Sequence, residues 1–387
     1  MTKQEKKAQI YHIFSPSAPV ENVDLFFGRK KQINAVESAI YEKGQHVVMF
    51  GKRGAGKTSL ANITGQIFEN VYTAKITCNR KDDYISLWDK MLQKIQYIET
   101  QTNIGFEKDI QNTLTSLVLP DKEFIDVSDI ENLFLETDNP ILLIFDEFDS
   151  IKDETTRIMI ADTIKAFSDN IHFVTIFIIG IAENIKDLIG YHPSLERCIK
   201  QIHLPLMSNI EAEDLIKQSM DALELEISKE ITQKIIDYSS GFPHYIHLLC
   251  KFIAVEAVEN KEILINENHF NNAVLLSIEN SDYTLKEAYT KAVKSAKNKN
   301  QFEDIIYACA SAQTGDDDTY TTDIILQEFN KLRNSETKEE SIRYNLGMLC
   351  RADRGLILEK IGSSKNRKYR FRNPLMRAFV KLKLHVK

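Results

Sequence analysis

Short apolar runs alternate with helical periodicity through the first half of the chain. Five β-branched runs bounded by turn or charged residues predict strands at residues 46–50, 72–77, 141–145, 172–180 and 200–204. Helical stretches fill the segments between them, and this alternation predicts a parallel sheet. The run ILLIF at 141–145 is apolar throughout, which is typical of a strand buried on both faces near the middle of such a sheet.

From about residue 207 the pattern changes to helices only, predicted at 209–223, 230–239 and 243–259. Pro205 and this change mark one boundary, and a Lys/Asn-rich stretch at 291–301 marks a second. We therefore predict an α/β core over 1–206, an all-α module over 207–282 and a last module over 283–387. Residues 79–139 are helical with a polar middle, and nothing in them indicates a role.

The last module reads as helices at 302–313, 321–331 and 338–350, a hairpin pairing 355–362 with 367–372, and a final helix. This order predicts a winged helix-turn-helix. The third helix opens with TKEE, a capping-box pattern with Thr337 at the cap. Its apolar stripe leaves Lys338, Arg343 and Tyr344 pointing outward, as on a recognition helix.

In the hairpin, Tyr369 and Phe371 alternate with cations, and the loop SSKN would be the wing. Phosphate contacts from such residues would bind DNA without base specificity. The candidates are Arg343, Tyr344, Lys365, Arg367, Lys368, Arg370 and Arg372. A winged helix also serves as an internal clamp or a protein-docking module, so fold alone leaves both open.

The charge distribution changes this picture only at the tail. The chain of 387 residues is 43% hydrophobic and 27% charged, as in an ordinary soluble globular protein. Its net charge is −7, but residues 361–387 carry nine cations and no acid, so that tail is +9 and the rest is −16. A basic tail on an acidic body fits a nucleic-acid contact, although basic surface without a polyanion partner is common.

Cysteine usage and hydropathy indicate the compartment. The five cysteines are scattered singly without a C-x-x-C pair, which favours a reducing cytoplasm over a disulfide framework or a zinc site. The longest apolar run, at 173–182, is too short to cross a bilayer. We expect neither a signal peptide nor a membrane partner.

Residues 51–58, GKRGAGKT, match the P-loop pattern between a predicted strand and a predicted helix. Glycines let the backbone N–H groups wrap the phosphates of ATP or ADP, Lys57 should reach the β and γ phosphates, and Thr58 would bind Mg²⁺. The predicted nucleotide-binding residues are Gly51, Lys52, Arg53, Gly54, Ala55, Gly56, Lys57, Thr58 and Ser59.

A second element, ILLIFDEFD, ends an apolar strand in two carboxylates and has the Walker B pattern. Both carboxylates would emerge at the carboxyl edge of the sheet beside the P-loop. Asp146 would hold the Mg²⁺, and Glu147 would orient or deprotonate the water that attacks the γ-phosphate. The alternative is an acidic helix start that uses Asp146 or Asp149 as a cap.

With these motifs the chain resembles the AAA+ ATPases, in the branch of the origin-recognition proteins and the prokaryotic STAND-like ATPases. The resemblance covers most of the chain, implies that residues 207–282 are the lid, and places Phe27, Gly28 and Arg29 in a box that frames the adenine. Without the P-loop, GRKKQI would read as the start of a surface helix. After the fourth strand, Glu183 or Asn184 takes the place of sensor 1.

The resemblance also implies that Arg197 is a finger reaching the γ-phosphate of a neighbouring subunit, which argues for a homo-oligomer. The alternative is a surface arginine paired with Glu196 or Asp187. In the lid, GFPHYIHLLC looks like the sensor 2 region, with Pro243 and His244 facing the phosphates. Origin-recognition relatives carry an arginine near His244, whereas STAND-like relatives have G-x-P, as here; Pro243 is also a common helix starter.

Two functions follow as expectations. One is a slow or partner-stimulated ATPase that couples nucleotide state to oligomerisation and DNA binding. The other is a STAND-like signalling switch, for example in anti-phage defence, whose output passes through a separate effector or client protein. A third, weaker expectation is a regulator that loads or activates a separate nuclease, transposase or helicase.

Overall fold

A computed structural model provides the structure of the chain. It describes residues 2–68, 71–101, 117–122, 124–135, 140–190, 195–294, 301–314, 318–334, 336–363 and 366–387. Two compact units make up the chain. The core unit is Ala18–Leu206, and the second unit joins Met1–Ser17 to Met207–Lys387.

The core unit is built on a five-stranded parallel sheet in the order β2-β3-β4-β1-β5. Its strands are β1 (His46–Gly51), β2 (Tyr72–Thr77), β3 (Ile141–Asp146), β4 (Val174–Ile181) and β5 (Ile199–His203). The predicted parallel sheet is confirmed, and each strand lies within two residues of its predicted bounds. The run at β3 is buried at every position, between β2 and the central strand β4.

Alternate strand residues face opposite sides of this sheet, and both sides are buried. Val48 and Leu143 belong to one apolar cluster, whereas Val47 and Leu142 belong to another. Helices cover both faces, as a parallel sheet requires. They are α2 (Lys30–Tyr41), α3 (Lys57–Ile67), α4 (Tyr84–Gln101), α5 (Val127–Phe134), α6 (Glu154–Asn170) and α7 (Lys186–Ile189).

The region 79–139, where the sequence indicated no role, contributes part of this core within its described residues. Trp88 on α4 is fully buried and contacts three phenylalanine rings. Their centroids lie 5.7 to 6.1 Å from that of Trp88, on β3, α5 and α6. Aromatic contacts at such spacings add to the stabilisation from burial, so α4 and α5 hold one face of the sheet in place.

The second unit begins with α1 (Lys3–Ile13) and continues with eight helices in its described residues. These are α8 (Asn209–Ala222), α9 (Lys229–Ser239), α10 (Pro243–Asn260), α11 (Glu267–Glu279), α12 (Tyr283–Val293), α13 (Gln301–Ser311), α14 (Thr322–Arg333) and α15 (Glu339–Leu349), before a last helix, α16 (Met376–Val386). The predicted bounds of α8, α9 and α10 hold to within one residue.

Helix α1 packs against α10, although the sequence placed its residues with the core. Ile10, Ile13 and Phe14 are buried, and Phe14 contacts the ring of His247 edge-on at 6.0 Å. Lys7 forms an ion pair with Glu259 at the other end of the contact. Residues 2–17 therefore belong to the fold of the second unit. The finer boundaries of the three predicted modules stay predictions.

The C-terminal part has the predicted succession of helices, hairpin and last helix. Strands β7 (Leu358–Ile361) and β8 (Lys368–Phe371) pair antiparallel, and a short strand, β6 (Tyr320–Thr321), extends the sheet in the order β6-β8-β7. The predicted capping box is wrong, because Lys338 is the cap of α15 and makes no side-chain cap bond. The amide of Thr337 donates instead to Asn330 Oδ1 at 3.0 Å.

Helix α16 ties this C-terminal part to the helices before it. The Tyr238 hydroxyl on α9 and His385 Nδ1 on α16 are hydrogen-bonded at 2.9 Å. His385 Nε2 is 2.7 Å from Asn271 Oδ1 on α11. These contacts agree with the grouping of residues 207–387 in one unit.

In the part of the chain that the structure describes, no helix combines the length and apolar content that crossing a membrane requires.

Candidate functional site

The P-loop connects the end of β1 to the start of α3. Gly54 and Gly56 have φ values of 83° and 94°, a region that suits glycine, so the backbone can turn tightly ahead of α3. Gly51 is required for a different reason. A Cβ atom there would lie 2.4 Å from the backbone oxygen of Leu204, just beyond β5. Arg53 is exposed at the turn, and Lys52 and Ser59 are half-buried.

Lys57 folds back over the loop and is 8% exposed. Its Nζ donates to the backbone oxygens of Gly51 at 3.0 Å and Lys52 at 2.8 Å. Burial lowers the pKa of Lys57 to about 8, against the opposing influence of the Asp149 and Asp146 carboxylates. A phosphate group would give this ammonium a partner that offsets its desolvation.

Asp146 and Glu147 lie at the carboxyl end of β3 with different exposures. Asp146 is 3% exposed, and its Oδ1 accepts the backbone N–H of Glu147 at 2.9 Å. Glu147 is exposed and has a φ of 56°, which is uncommon for a residue with a side chain. A residue held in this region at the end of a sheet is a frequent feature of active sites. The cap alternative for Asp146 finds no support, since α6 is capped by Asp153.

Two side chains lie near this carboxylate pair: Lys75, which the sequence did not indicate, and Asp149, which it indicated only as a possible helix cap. Lys75 on β2 places its Nζ 3.0 Å from Asp146 Oδ2. Asp149 Oδ1 accepts the backbone N–H of Ile181 at 2.8 Å and so links the end of β4 to the turn after β3. Asp149 could be recognised as a candidate from the acidic motif FDEFD. Lys75 could not, because its position beside Asp146 depends on β2 lying next to β3.

The donors near the P-loop suit Mg²⁺. The Asp146 carboxylate and the Thr58 hydroxyl are oxygen ligands, which Mg²⁺ prefers, and it commonly takes only one or two from protein when substrate phosphates supply others. Within the described ranges, no cluster of three or more His, Cys, Asp or Glu side chains is arranged to hold a metal ion by itself. A shared protein and nucleotide site therefore fits this chain better than a closed protein cage.

The predicted adenine box is tied directly to the P-loop. Gly28 and Arg29 have successive positive φ values of 78° and 61°, and Arg29 is buried at the start of α2. Its Nη2 donates to the backbone oxygen of Ala55 at 3.2 Å. Phe27 is half-buried beside them. The alternative, that GRKKQI starts a helix, agrees with the start of α2 at Lys30, but Arg29 itself is buried in the core unit. The adenine-framing role of Phe27, Gly28 and Arg29 stays a prediction.

The region after β4 leaves sensor 1 undecided. Glu183 and Asn184 are both exposed, and the Asn184 amide donates to Asp187 Oδ2 at 3.0 Å. Arg197 is exposed, and its Nη2 lies 2.9 Å from Asp169 Oδ1 on α6. Its partner is thus neither of the two acids that the sequence suggested. The finger role of Arg197 stays a prediction.

Pro243 and His244 lie in the second unit, at the start of α10. Pro243 is the first residue of that helix, where its missing N–H costs nothing. His244 Nδ1 donates to the backbone oxygen of Pro16 at 2.6 Å. One ring nitrogen of His244 is therefore committed to the N-terminal segment, and the nucleotide-sensing role of both residues stays a prediction.

Most of the residues predicted to contact DNA are exposed on the C-terminal part; the exceptions are Arg370 and Lys365. Arg343 and Tyr344 are exposed on α15, with Arg343 paired to Glu339, and Arg367, Lys368 and Arg372 are exposed along the hairpin. Arg370 is half-buried and paired with Glu359 on β7. Lys365 lies outside the described residues. Tyr369 and Phe371, which alternate with these cations, are buried.

This sheet order, together with the P-loop and the acidic end of β3, defines an AAA+ type P-loop NTPase. The model of the family described as Novel STAND NTPase 1 matches residues 19–273, and the chain belongs to that family. The match covers the core unit from residue 19 onward and continues into the second unit as far as residue 273, within α11. No curated protein sequence matches the chain.

Two solved structures share the fold across nearly the whole chain. A Walker-type ATPase of Pyrococcus abyssi has a TM-score of 0.56 and 13% identity, covering 95% of this chain and 99% of its own. The ORC2 protein of Aeropyrum pernix, solved in ADPNP and ADP complexes, has a TM-score of 0.52 and 14% identity. The alignment covers 97% of this chain and 98% of the ORC2 chain. At these identities the likeness shows the fold alone.

Proposed function

We propose that the chain is an Mg²⁺-dependent ATPase that works as a nucleotide-controlled switch. The observation that carries the proposal is the grouping of a buried Lys57, a buried Asp146 and an exposed Glu147 around one P-loop. Membership of an NTPase family supports it.

Each of these residues has a task that its environment fits. Lys57, held over the loop, neutralises charge on the β and γ phosphates. Glu147 is exposed on a fixed backbone and orients or deprotonates the attacking water, while Asp146 and Thr58 supply metal ligands. Mg²⁺ bound there would neutralise the charge that develops on the phosphates.

Lys57→Ala and Glu147→Gln test the proposal together. Lys57→Ala should lose ATP binding, whereas Glu147→Gln should bind ATP and release phosphate slowly. Tight binding by Lys57→Ala would end the P-loop assignment. Unchanged turnover by Glu147→Gln would remove that residue from catalysis.

The output of the switch is the second part of the proposal. ATP drives assembly into a homo-oligomer through Arg197, and the C-terminal part, as a winged helix, holds DNA. The exposed cations Arg343, Lys368 and Arg372 favour DNA over a purely internal clamp, because phosphate contact needs accessible positive charge. A protein-docking role for the same module, with a separate effector, is the second candidate, and family membership among STAND NTPases favours it.

A duplex-DNA binding assay in ATP and in ADP separates the two. Nucleotide-dependent DNA binding supports the first candidate, and equally poor binding in both states leaves the docking role.

A further inference from the structure

Lys75, which forms an ion pair with Asp146, is an unexpected neighbour of the proposed nucleotide site. Lys75 Nζ lies 3.0 Å from Asp146 Oδ2, and the Lys75 side chain is only 23% exposed. The parallel register explains the meeting, because β2 pairs with β3 so that Thr77 is opposite Asp146 and Lys75 lies two residues earlier. Successive residues on one face of a strand lie two apart, so the Lys75 side chain leaves the same face as Thr77.

A second contact fixes the lysine. Its Nζ also donates to Asn62 Oδ1 at 2.6 Å, on the helix that follows the P-loop. Lys75 therefore bridges β3 and α3, the two elements that carry the predicted metal ligands Asp146 and Thr58. An ammonium held from two sides keeps its position without help from a ligand.

Both oxygens of the Asp146 carboxylate already have partners. Oδ1 accepts the Glu147 backbone N–H at 2.9 Å, and Oδ2 faces Lys75. A buried carboxylate without such partners would be costly, so Lys75 compensates the charge of Asp146 and holds its side chain in place before nucleotide arrives. A metal ion that binds Asp146 must share or displace this partner and approach another cation.

We infer that Lys75 is the resident counter-ion of Asp146 and competes with the divalent cation for that carboxylate. The inference rests on the proposed Mg²⁺ site. Its consequence is that metal alone binds poorly, since Lys75 already compensates Asp146, and that nucleotide phosphates are needed to outweigh the lysine. Lys75 is thus a positioning residue that makes metal binding depend on nucleotide.

The test uses Mn²⁺ as a probe, with ADP, on the full chain. Mn²⁺ affinity is measured by electron paramagnetic resonance, and the rise in Tm on adding Mn²⁺ and ADP by differential scanning fluorimetry. Lys75→Met removes the charge and keeps the length, and Lys75→Gln removes the charge but keeps an N–H donor. Lys75→Arg keeps the charge.

The matched control is Lys90→Met. Lys90 pairs with Asp82, a carboxylate that is also buried in the core unit, and no described contact joins that pair to Asp146. The control therefore removes the same charge from the same kind of pair.

If Lys75 competes with the metal ion for Asp146, removing its charge should increase the affinity for Mn²⁺. Lys75→Met and Lys75→Gln should each bind Mn²⁺ about tenfold more tightly in the presence of ADP, because a repelling cation has gone. Lys75→Arg and Lys90→Met should match the wild-type protein. The neutral variants should also melt earlier without ligand and gain more from Mn²⁺ and ADP.

Two results would overturn the inference, and they separate it from the proposed function. If Lys75→Gln binds Mn²⁺ as weakly as Lys90→Met or more weakly, Lys75 is only a structural support, while the metal site survives. If the wild-type protein binds ADP equally well with and without Mn²⁺, the proposed metal site fails first.

Discussion

The ammonium of Lys57 lies 2.8 Å from the backbone oxygen of Lys52, so the lysine of the P-loop is hydrogen-bonded to the P-loop itself. It also donates to Gly51, at the end of β1. Burial removes the ammonium from water and lowers the pKa of Lys57 to about 8. Lys57 is therefore held over the loop, and its ammonium loses its proton near pH 8.

Nucleotide affinity should depend on pH because of this lysine. The protonated ammonium binds phosphate, and below about pH 8 it is already protonated, so affinity there should be nearly constant. Above that value the free protein must take up one proton on binding, and Kd should rise about tenfold per pH unit. A fluorescent ATP analogue titrated between about pH 7 and 9.5 measures this break.

Lys57→Arg is the control for the pH profile, because a guanidinium stays protonated throughout this range. Its affinity, even if lower, should show no break near pH 8. A break shared by both proteins would assign the titration to another group.

Glu147→Gln should lower the rate of ATP hydrolysis about a hundredfold with little change in ATP affinity. Removing a general base typically costs a factor of 10² to 10⁴, and glutamine keeps the size of the side chain at this exposed position. Phosphate release under single-turnover conditions gives the rate. Glu154→Gln, at an exposed acid in the first turn of α6, should hydrolyse at the wild-type rate.

Gly51→Ala should destabilise the core unit by about 2 kcal/mol or more, because the new methyl group meets the Leu204 backbone oxygen at 2.4 Å. Gly190→Ala is the control, because it introduces backbone strain without a steric clash. Its φ of 74° is also unsuited to alanine, but no atom of the residues that the structure describes lies within 4 Å of the added atom. That change should cost about 1 kcal/mol from backbone strain alone. Equal losses of stability in urea unfolding would contradict the steric argument.

Mixing two inactive variants can test the finger role of Arg197. Lys57→Ala lacks a usable nucleotide site but keeps Arg197, and Arg197→Ala keeps its site but lacks the finger. Each should hydrolyse ATP at least tenfold more slowly than wild type, and a mixture should recover part of the rate, because mixed oligomers pair an intact site with an intact finger.

Arg197→Ala should still fold, so a loss of activity would not reflect unfolding. The pair between Arg197 and Asp169 is exposed, and such pairs contribute about 0 to 1 kcal/mol. A mixture no more active than its components would show that Arg197 does not act across a subunit contact.

DNA binding should weaken in Lys368→Glu/Arg372→Glu. Each phosphate contact contributes about −0.9 to the slope of log K against log salt, so losing two should flatten the slope by about 2. Arg370 is left unchanged because its pair with Glu359 would be lost as well. Lys217→Glu/Lys229→Glu changes the same charge at exposed helical positions of this unit and should leave the slope intact.

The strands and the P-loop were predictable because local sequence decides them. β-branched runs bounded by turn residues placed all five strands of the core sheet, and the glycines of the P-loop correspond to backbone angles that only they adopt easily. Asp146 and Glu147 followed from the same logic, since a parallel sheet brings the carboxyl ends of its strands to one edge.

The parts that could not be predicted depend on contacts distant in sequence. The pair between Lys75 and Asp146 spans 71 residues and requires β2 to lie beside β3. Arg197 finds Asp169 on α6 instead of an acid near it in sequence. At Thr337 a local motif failed because the residue's own amide was taken by Asn330 from the preceding helix.

The packing of α1 on α10 has a consequence for how the chain is made. Lys7 leaves the ribosome 252 residues before its partner Glu259. At about 5 to 20 residues per second, that interval is on the order of 10 to 50 seconds. For most of this interval α10, against which Ile10, Ile13 and Phe14 pack, has not been synthesised, whereas residues 18–206 are complete. A nascent chain of this kind would present the apolar side chains of Ile10, Ile13 and Phe14 to chaperones while the residues of its NTPase core are already synthesised.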